Sequence, residues 1–174
     1  MIQPLALGGI TYGVSDLELT AAYAAIADGG QYRKPVFYTK VTDSKGNVLI
    51  DNTENKATQV FKASTASLLT NAMEDVLEKG TGVAARLDNM HAAGKTGTTN
   101  EAKDLVFAGF TPYYTAAIWA TYDTHAEFPE SDREFHKRLW AKVMNEIHEG
   151  LADMDFETSA TVQEATICTK TGLL

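Results

Sequence analysis

The pattern of hydrophobic and polar positions predicts two helices in the first half of the chain. Residues 15–28 open with Ser15 and carry Glu18 three positions later, which is a capping box, and they end at a pair of glycines. Residues 64–79 place apolar side chains on one face at helical spacing and are followed by another glycine. The apolar residues of this second helix are Leu69, Met73, Val76 and Leu77.

Strand patterns lie between and after these helices. Residues 32–52 contain two β-prone runs around the turn sequence DSKGN, so they predict a hairpin. Residues 104–114 and 115–123 form two short apolar runs that predict neighbouring antiparallel strands in the core of a sheet. Antiparallel strands are therefore expected from about residue 91 to 122.

A third helix is predicted over residues 131–149. It begins with a second capping box, Ser131 and Glu134, and its apolar residues recur every four positions. These residues are Phe135, Leu139, Val143, Ile147 and Leu151. We expect this apolar face to lie against the sheet. The rest of the chain, 151–174, has weak periodicity and is treated as a C-terminal extension.

Composition narrows the classes of function. The 174 residues are 44% hydrophobic, which is enough for one globular unit, and the net charge of -8 without a basic run disfavours nucleic acid as a partner. The single cysteine, Cys168, excludes an internal disulfide. The four histidines lack close ligand spacing, so we expect them at the surface and expect no metal and no cofactor. No apolar run of about 18 residues and no signal-peptide pattern occurs, which predicts a soluble chain.

Residues 92–100 read AAGKTGTTN, and three interpretations of Lys95 are open. A nucleotide-binding loop needs a glycine five residues before the Gly-Lys pair and a helix after it, but Asn89 stands at that position and no apolar helical face follows. In a second interpretation Lys95 is a solvated charge on a glycine-rich turn. Residues 170–172 repeat the Lys-Thr-Gly string, which shows that the string alone is not specific.

The third interpretation is an anion-binding strand. Thr96 and Thr98 are two positions apart, so on a strand both hydroxyls point to the same side, and Gly97 removes the side chain from the opposite side. Lys95 adds a positive charge beside them. Backbone NH groups of an edge strand can bind an extended peptide or stabilise a developing oxyanion. Such a strand is expected to hold a peptide by its carboxylate end.

Three segments resemble the transpeptidase domain of class A penicillin-binding proteins. GKTGTT, followed by the strand DLVFAGFTP and a second strand bearing Trp119, is similar to the third signature motif of that family and its adjoining strands. ALGGITYGVSDLELTAAYAAIADGGQYRKP resembles the helix and glycine turn after the second motif, and VLEKGTGVAARL resembles the segment before the Lys-Thr-Gly strand. The similarity covers roughly residues 4 to 150 in the order of the family.

The resemblance implies an α/β (α+β) fold, an antiparallel sheet flanked by helices, and acyl transfer from peptidoglycan stem peptides that end in D-Ala-D-Ala, which β-lactams mimic. By this resemblance Lys95 and Thr98 are catalytic, because Lys95 supplies positive potential and the NH of Thr98 is half of an oxyanion hole. Thr96 and Thr98 contact the substrate carboxylate, and Gly97 and Thr99 complete the substrate-binding strand. The parent protein is expected at the extracytoplasmic face of the bacterial cell membrane.

The nucleophile motif of the family is missing from this sequence. The serines are Ser15, Ser44, Ser64, Ser67, Ser131 and Ser159. None is followed by lysine three positions later, and none by asparagine two positions later, so neither Ser-x-x-Lys nor Ser-x-Asn occurs. Residues 1–150 are therefore expected to be the C-terminal part of a transpeptidase domain that is inactive by itself, separated from an upstream membrane anchor and glycan-polymerising domain.

Two further expectations remain open. The main alternative function is a non-catalytic module that binds peptides or a partner through the same strand. A partial domain is also expected to leave apolar surface uncovered. We therefore expect self-association through the strands near Phe107 and Trp119, or a tail that folds back over that face.

Overall fold

A three-stranded antiparallel meander forms the centre of the computed structural model, which describes residues 9–10 and 12–172. Its three strands lie side by side in the order in which they occur along the chain. They are β5 Ala93–Thr98, β6 Asp104–Phe110 and β7 Thr115–Thr121. Phe107 of β6 lies opposite Thr96 of β5 on one side and Ile118 of β7 on the other. The predicted antiparallel strands are confirmed.

Three α-helices pack around this sheet within the described residues. They are α1 Asp16–Ala27, α2 Ala63–Glu78 and α3 Phe135–Ile147. Trp140 of α3 meets Phe107 edge to face, with ring centroids 5.0 Å apart, and its Nε1 donates to the carbonyl of Ala116 at 3.0 Å. Leu77 of α2 and Met144 of α3 belong to the same buried cluster. Helix α1 packs against β6 and β7.

Two short antiparallel pairs lie outside the central sheet. β2 Lys40–Thr42 pairs with β3 Val48–Asp51, which confirms the predicted hairpin. Its turn is held by the carboxylate of Asp43, which accepts from the backbone N of Lys45 at 2.8 Å. A second pair, β1 Gln31–Tyr32 with β4 Thr58–Gln59, was not predicted because two-residue strands leave no periodic pattern.

The first predicted capping box is present. The backbone N of Ser15 donates to Glu18 at 2.8 Å, and the Ser15 hydroxyl accepts from the backbone N of Glu18 at 3.3 Å. Helix α2 begins and ends within one residue of its prediction, and Leu77 of the predicted apolar face is buried, with Val76 packed against the same cluster. Leu69 is the exception, because it is 38% exposed while its neighbour Thr70 is buried.

The second predicted capping box is wrong. Glu130–Asp132 is a 3₁₀ turn in which the Ser131 hydroxyl donates to Asp132, and α3 begins only at Phe135. The predicted apolar face also points away from the sheet. Its five residues remain 37% to 46% exposed. The buried residues of α3 are His136, Lys137, Trp140, Ala141 and Met144. The indole of Trp140 decides the orientation, because it is the largest side chain of the helix and its NH also finds a partner inside.

The C-terminal extension contains neither helix nor strand in its described part, but its first residues pack on the domain. Phe156 meets Phe110 edge to face at 5.4 Å, and the backbone N of Ser159 donates to the Ser67 hydroxyl at 2.9 Å. This segment therefore covers the end of β6 and part of α2. It leaves Trp119 on β7 56% exposed. Within the described residues, no helix combines the length and the apolar character needed to cross a membrane.

Gly109 of β6 is required by the packing of the two core rings. A Cβ at this position would lie 2.8 Å from Cε1 of Phe107 and 2.9 Å from Cζ2 of Trp140. We expect Gly109→Ala to lower the free energy of unfolding by about 1–3 kcal/mol, because the buried rings cannot both move aside. Urea unfolding measures the change. Gly97→Ala is the matched control, since a Cβ there would meet only Cβ of Val106 at 3.4 Å. Equal losses in both variants would contradict this account of the core.

The exposed face of α3 predicts that the 174-residue chain self-associates. Of the two residues named for the expected association, Phe107 is fully buried and Trp119 is 56% exposed, and the apolar face of α3 adds further exposed apolar surface. We expect a concentration-dependent dimer or larger species in light scattering. Leu139→Glu combined with Val143→Glu should shift it to monomer, whereas Leu68→Glu on the exposed side of α2 should not. A strict monomer at all concentrations would contradict this prediction.

Candidate substrate-binding strand

The five predicted site residues lie along and just beyond β5. β5 pairs with β6 along one edge, and none of the strands in the described part of the chain pairs with its other edge. Lys95 and Thr98 are exposed, and Thr96 and Gly97 are half-buried. The fold therefore presents an open strand edge with a lysine and two threonines, as the alternation of the sequence predicts.

Lys95 and Thr96 form the charged part of this edge. Nζ of Lys95 donates to the carbonyl of Thr96 at 3.0 Å and lies 3.4 Å from its Oγ1. The ammonium group is thus held beside a hydroxyl that can also donate a hydrogen bond. A positive charge next to a hydroxyl donor is suited to bind a carboxylate or another anion.

Thr96 and Thr98 share one side of the sheet. Their cross-strand partners are Phe107 and Leu105, which are two residues apart on β6 and both buried. Gly97 lies between them. Since an added Cβ at Gly97 would make only one contact, at 3.4 Å, the packing of the protein itself does not require glycine at this position.

A tight turn places Thr81 beside the strand. The hydroxyls of Thr81 and Thr96 are 2.7 Å apart. Gly80 and Gly82 flank Thr81, and a Cβ on either would approach Val76 to 3.0 Å or less. Lys137 of α3 completes the arrangement, because its buried Nζ donates to the carbonyl of Thr81 at 3.0 Å. Sequence reasoning did not single out Thr81 or Lys137.

Residues 3–149 match the family described as the penicillin binding protein transpeptidase domain. The chain belongs to this family. Penicillin-binding protein 1A of Clostridium perfringens is 34% identical over 166 residues, which cover 95% of this chain and 19% of that protein. This similarity places the chain with the transpeptidase domains of class A penicillin-binding proteins. The chain spans about one fifth of the length of the curated relatives it matches.

Solved structures of the family show the same fold. PonA1 from Mycobacterium tuberculosis, in complex with penicillin V, has a TM-score of 0.70 at 27% identity, covering 80% of this chain and 39% of that one. Penicillin-binding protein 1A from Haemophilus influenzae has a TM-score of 0.76 at 20% identity, covering 92% of this chain and 30% of that one. The predicted mixed α and β fold of a transpeptidase domain is therefore confirmed.

Thr99 of the transpeptidase domain lies just past the end of β5, where its hydroxyl is engaged. It donates to Oδ2 of Asp104 at 3.0 Å and accepts from the backbone N of Asp104 at 2.8 Å. Trp119 and His125 also bond to this carboxylate, at 3.1 and 3.3 Å. Desolvation raises the pKa of Asp104, but hydrogen bonds from His125, Trp119 and Thr99 outweigh it and lower the pKa below its usual value. The ionised carboxylate fixes the connection between β5 and β6, and a role of Thr99 in substrate binding stays a prediction.

Two histidines of the transpeptidase domain are buried, which corrects the expectation that all four lie at the surface. His148 has its Nε2 2.7 Å from the Thr111 hydroxyl and its Nδ1 2.6 Å from the carbonyl of Met144. His136 is 2% exposed, and neither ring nitrogen has a hydrogen-bond partner among the described residues. Burial lowers the pKa of His136 below its usual value of 6.5. The folded domain therefore favours the neutral imidazole.

His136 predicts a loss of stability in acid. Below pH 6.5 the unfolded chain binds a proton at His136 that the folded chain resists, so the free energy of unfolding falls as the pH falls below that value. Above pH 6.5 His136 is neutral in both the folded and the unfolded chain, so it adds nothing to the pH dependence of the free energy of unfolding. We expect His136→Leu to reduce the loss measured by urea unfolding between pH 8 and pH 5. An identical loss in both proteins would contradict the assignment.

Proposed function

We propose that β5 is the substrate-carboxylate strand of a peptidoglycan D,D-transpeptidase, and that this chain carries the C-terminal part of the catalytic domain. The observation that carries the proposal is the ammonium group of Lys95 beside the hydroxyl of Thr96 on an open strand edge. Lys95 supplies positive potential, and Thr96 and Thr98 bind the terminal carboxylate of a stem peptide. The NH of Thr98 stabilises the oxyanion, and Gly97 and Thr99 complete the strand.

The nucleophile is assigned to residues outside this sequence. In the proposed reaction a serine attacks the penultimate D-Ala carbonyl, the terminal D-Ala leaves with a proton, and an amine of a second stem peptide displaces the serine from the acyl group. The six serines of this chain lack the lysine and asparagine spacing of that machinery. The chain alone therefore positions an acyl donor without attacking it, so we propose that it is inactive in isolation.

The proposed domain boundary, partners and cellular location are inferred from the family to which the chain belongs. We assign residues 1–150 to the transpeptidase domain and 151–174 to an extension, which the end of the family match at residue 149 supports. The proposed partners are stem peptides ending in D-Ala-D-Ala, and β-lactams, in keeping with the penicillin V complex of PonA1. The proposed location of the parent protein is the extracytoplasmic face of the bacterial cell membrane, and the proposed reaction uses no cofactor.

The coding sequence upstream of Met1 separates this function from a non-catalytic peptide-binding module. The transpeptidase proposal expects an open reading frame that encodes Ser-x-x-Lys and then Ser-x-Asn before this segment. A frame that continues upstream without a Ser-x-x-Lys motif would favour the binding module, because the strand could still hold a peptide but no nucleophile would be present.

A further inference from the structure

Lys137 links α3 to the turn that precedes β5. It is 7% exposed, and its Nζ donates to Oε1 of Glu134 at 2.6 Å and to the carbonyl of Thr81 at 3.0 Å. A buried ammonium group is costly unless it is paired and hydrogen-bonded. The two acceptors satisfy this need, and one of them is the backbone of Thr81. The position of Thr81 is therefore fixed by Lys137 of α3 as well as by the turn that contains Thr81.

The Thr81 turn packs closely on the end of α2. Gly80 and Gly82 pack so closely on the last turn of α2 that a Cβ would lie 2.8 Å from Cα of Val76 in one case and 3.0 Å from its Cγ1 in the other. The backbone N of Gly82 also donates to the carbonyl of Val76 at 2.9 Å. Thr81 is consequently held with its hydroxyl 2.7 Å from that of Thr96.

The number of hydrogen bonds that Thr96 can make determines which hydroxyl should donate in its contact with Thr81. A threonine hydroxyl has one proton and can accept two hydrogen bonds. The ammonium group of Lys95 can only donate, so at 3.4 Å it occupies one acceptor position of Thr96. If Thr81 donates to the second position, the proton of Thr96 is left free to point at an anion. If Thr96 donated to Thr81 instead, that proton would be lost to the substrate.

We propose that Thr81 donates to Thr96 and that Lys137 holds Thr81 in place, so that this Lys137–Thr81–Thr96 relay keeps Thr96 a hydrogen-bond donor toward the substrate carboxylate. The inference rests on the proposed function of β5. Thr81 and Lys137 are positioning residues, since they act through Thr96 and not on the substrate. The relay connects α3, the Gly80–Gly82 turn and β5, which are far apart in sequence.

The first test needs no ligand and measures the Thr96 side chain. In the 174-residue chain, three-bond NMR couplings report whether Thr96 keeps one χ1 rotamer. We expect a single rotamer in the wild type and in Thr81→Ser, and rotamer averaging in Thr81→Val and Lys137→Met. Thr81 is exposed, so Thr81→Val carries the test even if Lys137→Met does not fold. An unchanged Thr96 rotamer in Thr81→Val would overturn the relay.

The second test measures binding of N-acetyl-D-alanyl-D-alanine by NMR titration of the same chain. The C-terminal amide of that dipeptide, which lacks the carboxylate, is the matched control ligand. We expect Thr81→Val to weaken binding of the free acid by about tenfold or more, the effect of one hydrogen bond to a charged group, and Thr81→Ser to restore it. Thr20→Val is the control variant, because it removes a threonine hydroxyl bonded to the carbonyl of Asp16 on α1, outside the site.

The two tests separate the relay from the function of the strand. Equal affinity of the wild type and Thr81→Val for the free acid would overturn the relay while leaving the strand assignment intact. A wild-type chain that does not distinguish the free acid from the amide would overturn the proposed function. In that case the rotamer of Thr96 in Thr81→Val still decides whether the relay positions Thr96.

Discussion

Replacing Lys95 by alanine is expected to slow acylation by penicillin of the full-length protein containing this segment by about 10²-fold or more, as the loss of one donor at an oxyanion site does. Among the described residues, Lys95 is the only charged side chain that is hydrogen-bonded to Thr96. Lys95→Ala removes this ammonium group and the positive potential that it supplies at the strand edge. The rate of labelling by a fluorescent penicillin measures the effect. Urea unfolding checks that the variant is folded, since Lys95 is exposed and its loss should leave stability almost unchanged.

Lys170→Ala is the matched control for Lys95→Ala. Lys170 begins the second Lys-Thr-Gly string, which lies in a turn of the C-terminal extension and outside the strands. We expect its replacement to leave the acylation rate unchanged. Equal slowing by both substitutions would contradict the assignment of the substrate site to β5.

The 174-residue chain by itself is expected to form no covalent adduct with penicillin V. Acylation needs a serine activated by a neighbouring base, and none of the serines here has the lysine spacing of the family motif. Intact-mass spectrometry after prolonged incubation measures the outcome, with full-length penicillin-binding protein 1A of Clostridium perfringens as the positive control. A stable adduct at one penicillin per chain would show that a nucleophile is present and would contradict the proposed division of the site.

Sequence predicted the elements whose signals are local. The capping box of Ser15 and Glu18 forms with both of its hydrogen bonds, and the Asp43 turn closes the predicted hairpin. These contacts join residues two or three positions apart, so residue types can predict them, although the same pattern at Ser131 and Glu134 forms no helix cap. The meander of β5, β6 and β7 was predicted for a similar reason, because its strands follow one another directly in the chain.

Sequence was misleading where tertiary packing decides between two faces of one helix. The apolar residues of α3 at four-residue spacing suggested the face that packs on the sheet, but Trp140 and Met144 occupy the interior. The helix also buries His136 and Lys137, which pattern reasoning assigns to solvent. Trp140 packs against Phe107 and Lys137 donates to the carbonyl of Thr81, and both of these partners are distant from α3 in sequence.

The sequence predicts the β5 strand of the candidate site, but it does not predict the residues that hold this strand in place. Alternation along β5 was enough to place Thr96 and Thr98 on one side, with Lys95 beside them. The contact of Lys137 with Thr81 joins residues 56 positions apart and leaves no periodic trace. Only the fold shows that Lys137 of α3 contacts Thr81 and that Thr81 in turn contacts Thr96.

The central claim, that β5 binds the carboxylate end of a peptide, is tested most directly by mapping where N-acetyl-D-alanyl-D-alanine binds on this chain. Backbone amide chemical shifts of the 174-residue chain, recorded with the dipeptide acid and with its C-terminal amide, locate the carboxylate. The account predicts shifts specific to the free acid at residues 95–98 and none at residues 170–172. Acid-specific shifts concentrated elsewhere, or none at all along β5, would contradict it.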